Sequence, residues 1–170
     1  MATKRSRGKK SDLSDLFTAA NDQWEKGKLN SAFRLFLSAA KSGDTGAQVN
    51  LGFFYDTGIG VKSNRASAMY WYRRAYRRGS AAGAGNIGTI FRDEGDWTRA
   101  LNWFRRAVKM GDSDCNLDIA KLLLERGEKG NALVFLRRVI EANRGDVTEA
   151  SREEASRLLH RTTKVSRPKR

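Results

Sequence analysis

Apolar positions recur along the chain with the period of an α-helix. Leu13, Leu16, Phe17, Ala20 and Trp24 fall at i, i+3, i+4, i+7 and i+11, the stripe of a helix that buries one face. Ser11-Asp12 offers a cap ahead of that stripe and Gly27 an end to it. Ala32, Leu35, Phe36 and Ala39 predict a second helix over about 29–42, with Gly43 as its left-handed terminator and Asp44 as the next cap. Residues 46–79 read GAQVNLGFFYDTGIGVKSNRASAMYWYRRAYRRG, two stripes broken by Thr57-Gly58-Ile59-Gly60. They predict helices over about 45–56 and 64–78 with a loop between. A last stripe, Ala150, Ala155, Leu158 and Leu159, predicts a helix over about 147–160.

The stripes repeat. Ala32, Ala68, Ala100 and Ala132 are 36, 32 and 32 residues apart, and the same offsets link Leu35, Trp71, Trp103 and Phe135, and Ala39, Ala75, Ala107 and Val139. The longer first step comes from four extra residues, Ile59 to Lys62, in the second unit, whereas the third and fourth units turn tightly at Gly95 and Gly127. A period of this length with helical stripes implies stacked helical hairpins. Gly52, Gly88 and Ala120 are expected to let paired helices approach closely, with Trp71, Trp103 and Phe135 filling the space between hairpins.

The central unit resembles a Sel-one-like repeat, the short relative of the tetratricopeptide repeat. The likeness rests on Asn50-Leu51-Gly52, Tyr55, Gly58-x-Gly60-Val61, Ala68, Trp71-Tyr72-x-Arg74-Ala75 and Gly79, and in register it extends over about residues 11–143. It implies an all-α, right-handed α/α solenoid of about four helix-turn-helix repeats. The final helix serves as a C-terminal cap that covers the last apolar face and shows water a polar one. It also implies a non-enzymatic adaptor that binds a peptide or protein segment in the concave groove.

Charge modifies this picture at the ends. Of the +14 net charge, +10 lies in residues 1–10 and 161–170, leaving +4 on residues 11–160. The expected division is a disordered basic tail (1–10), a helical repeat domain (11–160) and a second disordered basic tail (161–170). No run of 18 apolar residues exists and the start lacks the apolar core of a secretory signal. Together with a single cysteine, Cys115, this points to the cytoplasm, or the nucleus in a eukaryote. The oligomeric state is open.

Enzymatic chemistry finds few candidates. Gly83 to Gly88 spells GAGNIG, the spacing of a dinucleotide loop, but no strand precedes it and its glycines fall in repeat register. Cys115, in the small slot held elsewhere by Ala47 and Gly83, and His160 each lack a partner for nucleophilic or zinc chemistry. Asp44, Asp96 and Asp112 read as helix caps. No catalytic residue, metal site or cofactor is assigned.

Two ladders remain. Asn50, Asn86 and Asp118 share one repeat position on the first helices, with Phe53, Thr89 and Lys121 one turn on. The tetratricopeptide resemblance places that position in the inner groove, where an amide suits a peptide backbone because it both donates and accepts. The same amides could instead satisfy neighbouring helix ends. Asp114 and Asp118 stand where a carboxylate clamp needs bases, so neutral or basic segments fit better than acidic ones. On the second helices Arg73-Arg74, Arg105-Arg106 and Arg137-Arg138 form a recurrent arginine stripe, either a solvated face or an anion-binding one. With the tails it supports an alternative reading, a nucleic-acid or polyanion-associated protein of weak, non-specific affinity. No aromatic side chains interleave the tail charges for base stacking.

Overall fold

The computed structural model describes the backbone of residues 4–165 and the side chains of residues 15–164. Among the described residues there are nine α-helices and no β-strand: α1 (Lys4–Glu25), α2 (Leu29–Ser42), α3 (Thr45–Thr57), α4 (Arg65–Arg77), α5 (Ala81–Asp93), α6 (Trp97–Lys109), α7 (Cys115–Glu125), α8 (Lys129–Glu141) and α9 (Glu149–Val165). They fall into two compact units, residues 1–83 and 84–170, divided within α5.

In the first unit α1 packs on α2, α2 on α3 and α3 on α4. The ends of these helices are set by local chemistry. Gly43 sits at φ +104° and, with Asp44, donates back to the Ala39 and Ala40 carbonyls, while the Asp44 carboxylate accepts from the Ala47 N–H at 2.6 Å and so starts α3. Asn64 caps α4 through the Ser67 N–H. The core between them is aromatic. Phe54 lies 5.2 Å from Trp24 and 5.5 Å from Phe36 between ring centroids, and Trp24 meets Phe36 edge to face at 6.0 Å, the arrangement that ring quadrupoles favour. The inserted loop between α3 and α4 is tied to this body at Gly60, whose φ is +66° and where a Cβ would stand 2.8 Å from that of Leu29.

In the second unit α6 packs on α7, α7 on α8 and α8 on α9. Asp96 caps α6, its carboxylate accepting from the Arg99 N–H at 2.8 Å, and that hydrogen bond holds its pKa below the ordinary carboxylate value. Asp112, also expected to cap, does not. Ser113 and Asp114 form an intervening turn, α7 starts at Cys115, and the Asp112 carboxylate accepts from the Cys115 thiol instead. Asp114 reaches forward to α9, its Oδ1 accepting from the backbone N–H and hydroxyl of Thr148 at 3.0 and 3.2 Å.

The expected close approach of helices at glycine is present, and its partners are the residues one position after those expected to fill the space between hairpins. A Cβ on Gly52 would lie 2.5 Å from the Tyr72 ring, and one on Gly88 2.7 Å from the Phe104 ring. Tyr72 is 1% exposed and Phe104, Phe36 and Leu136 are fully buried, so the ladder 36, 72, 104, 136 fills the hairpin cores. Trp71 is also buried, whereas Leu35, Trp103 and Phe135, one position earlier, are half-buried. Burial, followed by the Asp56 carboxylate, raises the Tyr72 phenol pKa well above its usual value.

Helical backbone runs further at both ends than the stripes predict. α1 starts at Lys4, so Ser11 and Asp12 lie inside the helix rather than ahead of its first turn, and α9 continues to Val165. Lysine and arginine are good helix formers, and adding a residue to an existing helix is far easier than nucleating one. Residues 1–3 and 166–170, the remainder of the two segments assigned to disorder, lie outside the described residues.

One side chain of the last helix caps the end of α8. The Arg152 guanidinium of α9 donates to the Ile140, Ala142 and Asn143 carbonyls at the end of α8, where no intrahelical donors remain. Arg152→Lys, which loses the planar fork, is expected to cost about 0.5–1.5 kcal/mol, one hydrogen bond's worth. Thermal unfolding of the two proteins side by side checks this.

Candidate partner-binding surface

The first-helix ladder is built separately in each unit. In the first unit Asn50 and Phe53 lie on α3, both half-buried against α1. Asn50 Nδ2 donates to Asn21 Oδ1 at 3.5 Å, and the Phe53 ring stands 5.9 Å from that of Trp24. Asn21 escaped the sequence reading, although the 32-residue offset carried back from Phe53 lands on it.

In the second unit the structure joins the ladder through ion pairs. Asp118 on α7 meets Arg92 of α5 at 3.6 Å, and Lys121 meets Glu154 of α9 at 3.1 Å. Thr89 turns inward along its own helix, its hydroxyl donating to the Gly85 carbonyl at 3.4 Å. Asn86 is half-buried and has no hydrogen-bond partner among the described residues. Neither Asn50 nor Asn86 bonds the backbone of a neighbouring helix, so the described geometry gives them no helix-end role.

Asp118 carries the main electrostatic feature of this surface. Burial pushes its carboxyl pKa up, and the attraction of Arg92 and Lys121 does not fully offset the shift, to which Asp112 and Asp114 add. A carboxylate so placed gains from additional positive charge.

The arginine stripe lies on the other set of helices, α4, α6 and α8, and divides into two kinds of residue. Arg74 stacks 5.6 Å over Trp71, Arg106 4.6 Å over Trp103 and Arg138 4.8 Å over Phe135. The recurrence at i and i+3 is a cation–π ladder that covers buried Trp71 and half-buried Trp103 and Phe135. Arg73, Arg105 and Arg137 are exposed.

The motifs set aside for chemistry are packing features. Gly83 to Gly88 lies inside α5, where a Cβ on Gly83 would come within 2.9 Å of the Tyr72 carbonyl and Tyr76 nitrogen. Cys115 is buried beside Gly85, and burial, reinforced by Asp112, pushes its thiol pKa far above the ordinary value. A thiol held protonated is a poor nucleophile. His160 is exposed on α9. Among the described residues no three His, Cys, Asp or Glu side chains converge as a metal site, and no helix is long and apolar enough to cross a membrane.

Hairpins of this construction, paired through small residues and buried aromatics, define a helical-repeat protein. Three segments, residues 26–44, 45–80 and 88–112, match the Sel1 repeat. The match covers less than the 11–143 register suggests and leaves out α1 and α7 to α9. No curated protein matches. Among solved structures the chain is similar to a Sel1 repeat protein from Oxalobacter formigenes, at 26% identity and TM-score 0.66 over 86% of this chain and 60% of that one. It is similar in fold to a protective antigen of uropathogenic Escherichia coli displaying an SLR fold, at 18% identity and TM-score 0.63 over 89% of this chain and 45% of that one. A tetratricopeptide repeat protein from Parabacteroides merdae aligns at 15% identity and TM-score 0.64 over 91% of this chain and 61% of that one. The chain therefore spans less than two-thirds of each of these proteins. The fold class is the all-α helical-repeat solenoid, a fold that generally mediates protein–protein interaction.

Proposed function

We propose that this chain is a non-enzymatic interaction module that binds an extended peptide or protein segment, neutral or basic in character, along the first-helix face of the hairpins within a unit. The observation that carries the reading is Asn86, a half-buried amide in a recurrent polar position with no partner among the described residues. A bound backbone N–H and C=O would engage its oxygen and nitrogen together. Asp118 and its raised pKa support a basic side chain in the same segment, since that charge would meet a carboxylate that burial has left short of compensation.

The test is a peptide array of neutral and lysine- or arginine-containing segments, followed by titration of the best binder. Asn50→Ala in the first unit and Asn86→Ala in the second are each expected to weaken binding to that unit by about 0.5–1.5 kcal/mol, one hydrogen bond's worth, with the melting temperature nearly unchanged. Lost stability with intact binding would overturn the assignment.

Acidity offers a second check. Protonation of Asp118 above the usual carboxylate range removes the charge a basic segment pairs with, so affinity falls as pH drops through that raised pKa and is flat in Asp118→Asn. Folding responds in the opposite sense. A carboxyl whose folded pKa exceeds its unfolded one contributes stability that is complete below the unfolded pKa and is lost as pH rises through the folded pKa. Asp118→Asn should lack that part of the stability slope, which unfolding at a series of pH values would reveal.

A further inference from the structure

We infer that the second unit carries a separate recognition site, on its second-helix side, for an acidic side chain followed closely by an apolar one in a protein partner. Two neighbouring cavities make the site. The first, of about 270 Å³ between α6, α7 and α8, is lined by Arg105, Lys109 and Arg138 together with Ile119, Phe135 and Asn116, and by no carboxylate. None of the three cations has a carboxylate partner among the described residues. Stacking over Phe135 at 4.8 Å holds the Arg138 guanidinium in one plane, which pre-arranges its fork for a carboxylate.

Asn116 supplies an independent observation. It is 7% exposed, its Nδ2 donates to the Ser113 carbonyl at 3.0 Å, and its buried Oδ1 has no donor. Buried acceptors are seldom left in this state, and this one belongs to a residue of the cavity wall. An N–H of an occupant, or a water carried in with it, would satisfy it after a small rotation of the amide.

The second cavity, about 360 Å³, shares Arg105 and Phe135 with the first and is otherwise lined by Leu101, Leu123 and Val134 together with Arg126, Glu128 and Asn131. Val134 is 48% exposed, one of few large apolar side chains left in water. The charges at this end, Arg126 and Glu128, pair with each other at 2.9 Å. One end of the pair of cavities is therefore cationic, and the other sets Leu101, Leu123 and Val134 beside polar side chains that already pair among themselves, Glu128 with Arg126 and with Asn131. One volume lies just below and the other just above the low end of the roughly 300–1,000 Å³ of small-molecule clefts. Two side chains of one chain segment match this division better than one compact metabolite. The inference does not rest on the first-helix reading: its cations and Phe135 belong to α6 and α8, and the α7 residues it uses, Asn116, Ile119 and Leu123, are not those of the first-helix ladder.

The experiment uses the full chain and fluorescein-labelled hexapeptides with Glu placed one, two or three residues ahead of Leu, read by fluorescence anisotropy. At the best spacing, replacing Glu by Gln in the peptide, or Arg105→Ala with Lys109→Ala in the protein, should weaken binding by about tenfold or more, the scale of a lost charge-assisted hydrogen bond. Both protein positions are exposed, so the variant should fold, as its circular dichroism would show. Replacing Leu by Ser should also weaken binding. Arg73→Ala with Arg77→Ala, which removes equal charge from the first unit, should leave it unchanged, as should Asn50→Ala with Asn86→Ala. Equal affinity for the Glu and Gln peptides, an equal loss in the Arg73/Arg77 variant, or no measurable binding at any spacing would overturn the inference.

Discussion

Phe104→Ala and Tyr72→Ala are each expected to cost about 3–5 kcal/mol of unfolding free energy, the range for truncating a fully buried aromatic. Both rings lie against a helical glycine of the same hairpin, Gly88 and Gly52. The glycine opposite has no side chain of its own to lean in and refill the space. Trp103→Ala should cost clearly less. Trp103 is half-buried and shares its cover with Arg106, which keeps much of its surface near water in the folded state. Urea titration followed by far-ultraviolet circular dichroism ranks the variants. A Trp103→Ala protein less stable than Phe104→Ala would reverse the assignment of the core ladder. Because contacts in repeat proteins are made mainly with neighbours, the damage should be greatest in the hairpin that carries the substitution.

Gly52→Ala and Gly88→Ala set two effects of opposite sign against each other. Alanine improves helix propensity by up to about 1 kcal/mol over glycine. The added methyl, however, would stand 2.5 Å from the Tyr72 ring or 2.7 Å from the Phe104 ring, distances that demand movement of a packed aromatic. Overpacking of this kind typically costs about 1–3 kcal/mol, so steric cost is expected to win and both variants to be less stable than the parent. Gly130→Ala is the control, since nothing lies within 4 Å of a Cβ built there. There propensity acts alone and the substitution should stabilise. If all three variants gained stability, close approach would not be the reason for glycine at positions 52 and 88.

These two sets of substitutions also locate the boundary between sequence and tertiary structure. Periodicity determined the helices, their pairing into hairpins and the repeat register, because a 3.6-residue stripe and its terminators are local properties that survive without knowledge of the neighbours. Gly52 and Gly88 were legible as close-approach positions for the same reason. Which large residue meets them was not. Trp71 and Tyr72, or Trp103 and Phe104, are adjacent and both aromatic, and adjacent helical positions differ by only about 100° of rotation. The turn of each helix against its partner decides which ring enters the glycine slot, and in both hairpins it is the second of the two.

The surface divides in the same way. Register placed Asn50, Asn86 and Asp118 at one repeat position, and Arg73-Arg74, Arg105-Arg106 and Arg137-Arg138 at another. Only the packed structure paired Asp118 with Arg92 and Lys121 with Glu154, residues that lie outside the repeat pattern. It also split each arginine pair, stacking one member on an aromatic and leaving the other in solvent. Asp112 shows how narrow the margin is. Its residue type suits a cap as well as that of Asp96, but the turn at Ser113-Asp114 moved the start of α7 and turned its carboxylate to the Cys115 thiol. Composition and spacing fix what a side chain can do, and the geometry of its neighbours, set by packing across helices far apart in sequence, selects which of those interactions it makes.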